Sequence, residues 1–148
     1  MAFDFDSVVA DDSSEAFYNS HDDIKEYYAH EDSLKELPLP NGPLSELLKK
    51  LAAIQRLEQQ RAASDPSYQP ILQTSIVTAR MVPAHERVVT TLKNWGISVN
   101  QVFFLGGIAK RRILEILRPH IFFDDQMLHL EGLDHIPAVH VPFGIANK

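Results

Sequence analysis

The 148-residue sequence contains no cysteine. Disulfides, thiolate metal centres and a cysteine nucleophile are therefore excluded, and the composition suits a reducing compartment. Long apolar runs are missing as well. Each is interrupted by charge well short of the roughly 20 residues that a membrane span requires, and no basic-then-apolar leader precedes Asp4. The expected location is cytoplasmic, with no membrane partner. Basic residues are outnumbered, 14 against 20 acids for a formal charge of −6, and the deficit is uneven. Residues 1–40 hold 11 acids and only two lysines, a balance of −9, so the remainder carries +3. The chain thus lacks the clustered Lys and Arg that phosphate backbones select for, which argues against a nucleic-acid partner. Internal repeats, low-complexity tracts and histidines at HExxH-type spacing are also absent, and most of the seven histidines are expected to be structural or exposed.

What is present fits one globular domain over residues 1–148, with 45 % hydrophobic and 23 % charged residues. After a short apolar opening, "SSEAFYNSHDDIKEYYAHEDSLKEL" mixes aromatics with acids and predicts one or two short helices forming a small insertion, a cap at about 13–40. "PLPNGP" is turn chemistry. From Leu44, helical spacing of Leu44, Leu47, Leu48, Leu51, Ile54 and Leu57 predicts an amphipathic helix with those residues on its inner face. "ILQTSIVTAR", "VFFLG", "HIFFDDQ" and "IPAVHVPFG" are strand candidates. "PAHERVVTTLKNWG" and "AKRRILEILRP" read as helices between them, with Trp95 directed to the core. Strand and helix alternate to the end, which predicts an α/β fold: a Rossmann-like parallel sheet with helices on both faces.

Four polar signals stand where strands end or helices begin: Asp4 with Asp6, Thr78, Lys110, and Asp124 with Asp125. In an open parallel sheet such edges share one crevice. Each residue type has a task in phosphoryl transfer. A carboxylate can attack phosphorus, and a second can protonate the leaving oxygen and then activate water. Magnesium takes hard oxygen ligands, which accounts for further acids. Threonine hydroxyl and lysine ammonium can hold the equatorial oxygens. Lys110 in "AKRR" places positive charge at a helix N-terminus, where the macrodipole disfavours it, and an unfavourable local choice often marks a site.

In that order, "FDFDSV", "VTAR", Lys110 within "GGIAKRRIL", and "IFFDDQ" resemble the four motifs of the haloacid dehalogenase-like (HAD) phosphohydrolases. The longer strings "LPLPNGPLSELLKKL", "LKNWGISVNQVFFLGG" and "LRPHIFFDDQMLHLEG" resemble the cytosolic 5′-nucleotidase branch, over nearly the whole chain. The resemblance implies a HAD-type fold and a magnesium-dependent 5′-nucleotidase acting on nucleoside monophosphates through an aspartyl phosphate. It implies Asp4 as nucleophile and Asp6 as acid/base, with Thr78 and Lys110 on the phosphoryl group. Asp4, Asp6 through its backbone carbonyl, Asp124 and Asp125 would form the Mg2+ shell, and which of the last two touches the metal stays open. Arg80 would add a phosphate or ribose contact, and Phe17 a stacking surface for the base, with Tyr18, Tyr27 and Tyr28 as further aromatics.

Members of this branch carry a substantial segment before the first motif, whereas only three residues precede Asp4 here. The expectation is a very short first strand, whose edge a second copy in a homo-oligomer could cover. Other readings remain beside the nucleotidase: a phosphatase for another small phosphate, or a non-catalytic binding module on the same fold. A signalling receiver domain fits less well, because its lysine follows the paired acids, whereas Lys110 precedes Asp124 and Asp125.

Overall fold

The computed structural model describes residues 1–21 and 23–148. Five parallel strands form one sheet: β1 (Ala2–Phe3), β2 (Ser75–Thr78), β3 (Gln101–Phe104), β4 (Phe122–Asp124) and β5 (Ala138–His140), in spatial order β3-β2-β1-β4-β5. Among the described residues six α-helices accompany them: α1 (Ser13–His21), α2 (Ile24–Ser33), α3 (Ser45–Ser64), α4 (His85–Asn94), α5 (Lys110–Leu117) and the single turn α6 (Met127–Leu130). The expected α/β fold is the observed one, and β1 is as short as the sequence implies.

Strand alternation sends side chains to two separate cores. Phe3, Ile76, Val102, Phe104 and Phe123 face one, where Leu48, Leu51 and Ala52 of α3 and Val88 and Leu92 of α4 cover them. Ala2, Val77, Phe103 and Phe122 face the other, under Ile113, Leu114 and Leu117 of α5 and Leu130 of α6. Helices therefore lie on both faces. This explains why the strands read as apolar runs rather than alternating ones. Although β1 has two residues, it is the central strand. Ala2 N donates to Ile121 O at 2.9 Å and Asp4 N to Phe123 O at 2.8 Å on one side, and Ser75 N donates to Met1 O at 3.0 Å on the other. Phe3 stacks on Phe123 with ring centres 4.9 Å apart. The strand is thus held from both sides, and Asp4 follows directly on it.

α3 differs from expectation in its inner face. The buried residues are Ser45, Leu48, Leu51, Ala52, Gln55 and Glu58, while Ile54 and Leu57 are 49 % and 64 % exposed. Polar partners turn the helix: Gln55 Nε2 donates to Asn100 Oδ1 at 2.7 Å, and Glu58 accepts from Tyr68 Oη and from the Ile71 and Leu72 amides. Trp95 caps α4, half-buried against the first core with the Lys49 ammonium over its ring.

Between β1 and α3 the chain leaves the body at Ala10 and returns at Asn41 through an antiparallel bridge. Gly42 N donates to Val9 O at 2.9 Å and Asp11 N to Pro40 O at 3.1 Å, closing the neck. A Cβ on Gly42 would stand 2.1 Å from Ala10 O, so only glycine fits there. The helical pair α1 and α2 hangs from this neck, as the acid-and-aromatic stretch predicts. Among the described residues, no helix is long and apolar enough to cross a membrane.

Candidate active site

The strand order reverses beside β1, with β2 and β3 to one side and β4 and β5 to the other. Open parallel sheets bind ligands at that point, beyond the C-terminal strand ends. Asp4 follows β1, Thr78 ends β2, Lys110 opens α5 after β3, and Asp124 ends β4. Lys110 Nζ lies 2.8 Å from Asp4 Oδ2 and 2.7 Å from Asp124 Oδ2, with all three residues buried. The two carboxylates supply the charge that offsets the macrodipole penalty at the start of α5. Burial alone would push the Lys110 ammonium down, but Asp4 and Asp124 outweigh it and hold its pKa above the ordinary lysine value.

The carboxylates divide sharply by environment. Asp4 is pushed up to about 7, first by burial and then by Asp124, against the lowering effect of Lys110. Its Oδ1 accepts from Phe5 N at 2.7 Å. Asp124 is as deeply buried, yet His129, at 3.1 Å from its Oδ1, and Lys110 hold its pKa below the usual aspartate value, and Gln126 N donates to the same oxygen at 2.9 Å. Asp125 is 1 % exposed, and among the described residues both of its carboxylate oxygens lack any hydrogen-bond partner. Burial, then the charges of Asp4, Glu15 and Asp124, push it up to about 8.

An unpaired buried carboxylate costs free energy unless a cation meets it. Donor atoms of Asp4, Asp124 and His129 also lie within 4.8 Å of one another. Among the described residues this acidic cluster is able to hold a divalent metal. Hard carboxylate oxygens suit magnesium or another hard cation. Asp6 is turned elsewhere: its Oδ2 and Oδ1 accept from Arg80 Nε and Nη2 at 2.8 and 2.7 Å.

A cavity of about 530 Å³ opens over the cluster, a volume suited to a small-molecule ligand. Asp4, Asp6, Thr78, Arg80 and Lys110 line its floor, and Tyr18, Ile24, Tyr27 and Tyr28 of the helical insertion line its roof. Thr78 Oγ1 accepts from Arg80 N at 3.3 Å, closing the turn after β2. Two expected positions differ. Phe17 lies outside the lining, stacked between His21 and His30 with ring centres 4.1 and 3.7 Å away. Arg80 reaches the cavity wall, but its guanidinium is buried among Asp6, Glu31 and Ala84 O.

Residues not foreseen also face the site. His129, expected to be structural or exposed, orients Asp124. Glu15 accepts from Ser7 Oγ at 2.9 Å and from Gln126 Nε2 at 3.2 Å beside the same acids. The only available signal for His129 is its place five residues after Asp124, in the single turn that folds back on β4.

Acid, threonine, lysine and paired acids in this order, at the ends of a parallel sheet with a helical insertion after the first strand, define a haloacid dehalogenase-like α/β fold. Sequence comparison narrows the class. The profile of the 5′-nucleotidase family matches residues 1–148. Human cytosolic 5′-nucleotidase 1B is 35 % identical over 149 residues, an alignment covering 100 % of this chain and 24 % of that protein. The chain belongs to the 5′-nucleotidase family, and it spans about a quarter of the length of that curated relative. No solved structure matches it.

Proposed function

We propose that the chain hydrolyses phosphoric monoesters, nucleoside 5′-monophosphates above all, with magnesium and through a phosphoryl group carried on Asp4. The observation that carries this reading is the buried Asp4 carboxylate, gripped by Lys110 under a cavity that Thr78 also lines and beside the unpartnered Asp125. The relative's name adds 5′-nucleotidase activity and cytosolic residence, and we extend both to this chain.

In the first step an Asp4 oxygen attacks phosphorus and the bond to the 5′ oxygen breaks. The departing oxygen takes a proton from Asp6. In the second, Asp6 accepts a proton from water as the water oxygen attacks phosphorus, the bond to Asp4 breaks, and phosphate leaves. Lys110 and the Thr78 hydroxyl hold phosphoryl oxygens as charge shifts among them. Asp4 and Asp125 would hold the magnesium, since Asp124 already receives Lys110, His129 and the Gln126 amide. When bound, that ion would screen the carboxylates from the incoming phosphate and withdraw charge from it.

Residues 13–40 serve as a cap of the single domain 1–148, and Tyr18, Tyr27 and Tyr28 take the base-stacking part first expected of Phe17. Burial pushes the Tyr27 phenol up to about 12. The test is release of inorganic phosphate from a panel of nucleoside monophosphates and simple sugar phosphates, with and without Mg2+. Magnesium-dependent release led by nucleotides supports the reading. No release from any nucleotide, or release indifferent to chelation, defeats it.

A further inference from the structure

One guanidinium joins the helical insertion to the acid/base carboxylate. All three nitrogens of Arg80 are engaged. Nε and Nη2 grip the two oxygens of Asp6, while Nη1 donates to Glu31 Oε2 and, at 3.1 Å, to Ala84 O. Glu31, on α2, is fully buried, and its other oxygen accepts from Arg87 Nη1 at 3.0 Å and Ser14 Oγ at 2.6 Å. Two guanidinium groups and two carboxylates thus form a neutral chain running from the insertion to Asp6. If α2 needed only to dock on the body, apolar packing would serve at least as well, because burying ion pairs carries a desolvation cost that hydrophobic contacts avoid.

We infer that Glu31 is a positioning residue: acting through Arg80, it sets how firmly Asp6 is gripped and so couples docking of the insertion to proton transfer. The inference rests on the acid/base reading of Asp6. With both oxygens on Arg80, Asp6 must give up at least one bond before it can meet the leaving oxygen. Glu31 pulls on the same cation from the opposite side. While Glu31 is docked, the charge of Arg80 is shared and Asp6 is released more readily; when Glu31 withdraws, the guanidinium answers to Asp6 alone and holds it off the reaction.

The test compares a nucleoside monophosphate with p-nitrophenyl phosphate, both with Mg2+. The nucleoside alkoxide needs a proton as it leaves, whereas p-nitrophenolate departs without one. Glu31→Gln is expected to lower kcat on the nucleotide about 100-fold with KM within about 3-fold, while the first-turnover burst of p-nitrophenolate falls less than about 3-fold. Glu31→Asp keeps the charge at shorter reach and stands between, at about 10-fold on the nucleotide. Arg87→Met takes away one partner of Glu31 but leaves the Glu31–Arg80 pair in place, and should leave the ratio between the two substrates at its unsubstituted value. Equal losses on both substrates in Glu31→Gln, or the same skew in Arg87→Met, overturn the inference. If circular dichroism shows Glu31→Gln unfolded, Glu31→Asp decides by the same ratio. An unsubstituted chain that turns over neither substrate defeats the phosphohydrolase reading itself, and the role of Glu31 with it; turnover with equal losses removes only the role of Glu31.

Discussion

Lys110 shows how one side chain serves both the fold and the site. Its ammonium is the shared partner of Asp4 and Asp124, so Lys110→Met leaves two buried carboxylates facing each other. Loss of one member of a buried pair typically costs about 3–5 kcal/mol, and urea unfolding should show a decrease of that order; an unchanged midpoint would contradict the pairing. Asp125 makes the opposite case. Raised on folding to about 8, it binds more protons in the folded than in the unfolded chain, so metal-free stability should fall as pH rises from the ordinary aspartate range through about 8. Thermal melts across that window should show the decline. Asp125→Asn should flatten part of it, Asp4 and Glu15 also contributing, and should also abolish stabilisation by added Mg2+. A slope unchanged in the variant would remove Asp125 as its source. The residue types of this cluster were legible in the sequence, because each motif is local. The partners of Arg80 were not: Asp6 and Glu31 lie 74 and 49 positions away, and no periodicity encodes such a meeting.

Among the elements, α3 separates hydrophobic pattern from burial. Its leucines and Ile54 recur at helical spacing, yet Gln55 and Glu58 are inside while Leu57 is outside. The pattern reported the helix correctly and its orientation only in part, because the returning segment 68–74 supplies polar partners that no apolar count anticipates. Leu48→Ala should therefore cost about 2–5 kcal/mol, and Leu57→Ala less than about 0.5 kcal/mol, by chemical denaturation. Similar losses at both positions would restore the originally expected face. α1 and α2 were legible as short helices, but the aromatic residues they present to the cavity depend on how the pair seats over it. That seating puts Tyr27 and Tyr28 over the site and Phe17 between two histidines.

Over the whole molecule, the uneven charge of the sequence resolves into pairing within the chain. Acids of the first 40 residues meet bases of the remainder: Asp4 with Lys110, Asp6 with Arg80, Glu31 with Arg80 and Arg87, Asp12 with Lys148. The alternation of strands and helices was readable from local periodicity. The order β3-β2-β1-β4-β5 was not, since it depends on which apolar strands meet, and it is this order that brings Asp4 between Thr78 and Asp124. The central claim is that phosphorus passes through Asp4. It is tested most directly by mixing the chain with Mg2+ and a nucleoside monophosphate, quenching in acid during turnover, and mapping phosphoryl groups on its peptides by mass spectrometry. A phosphoryl group is expected on the peptide carrying Asp4, absent in Asp4→Asn, whose turnover should fall at least about 1,000-fold. Steady phosphate release with no label on that peptide, or undiminished turnover in Asp4→Asn, would contradict it.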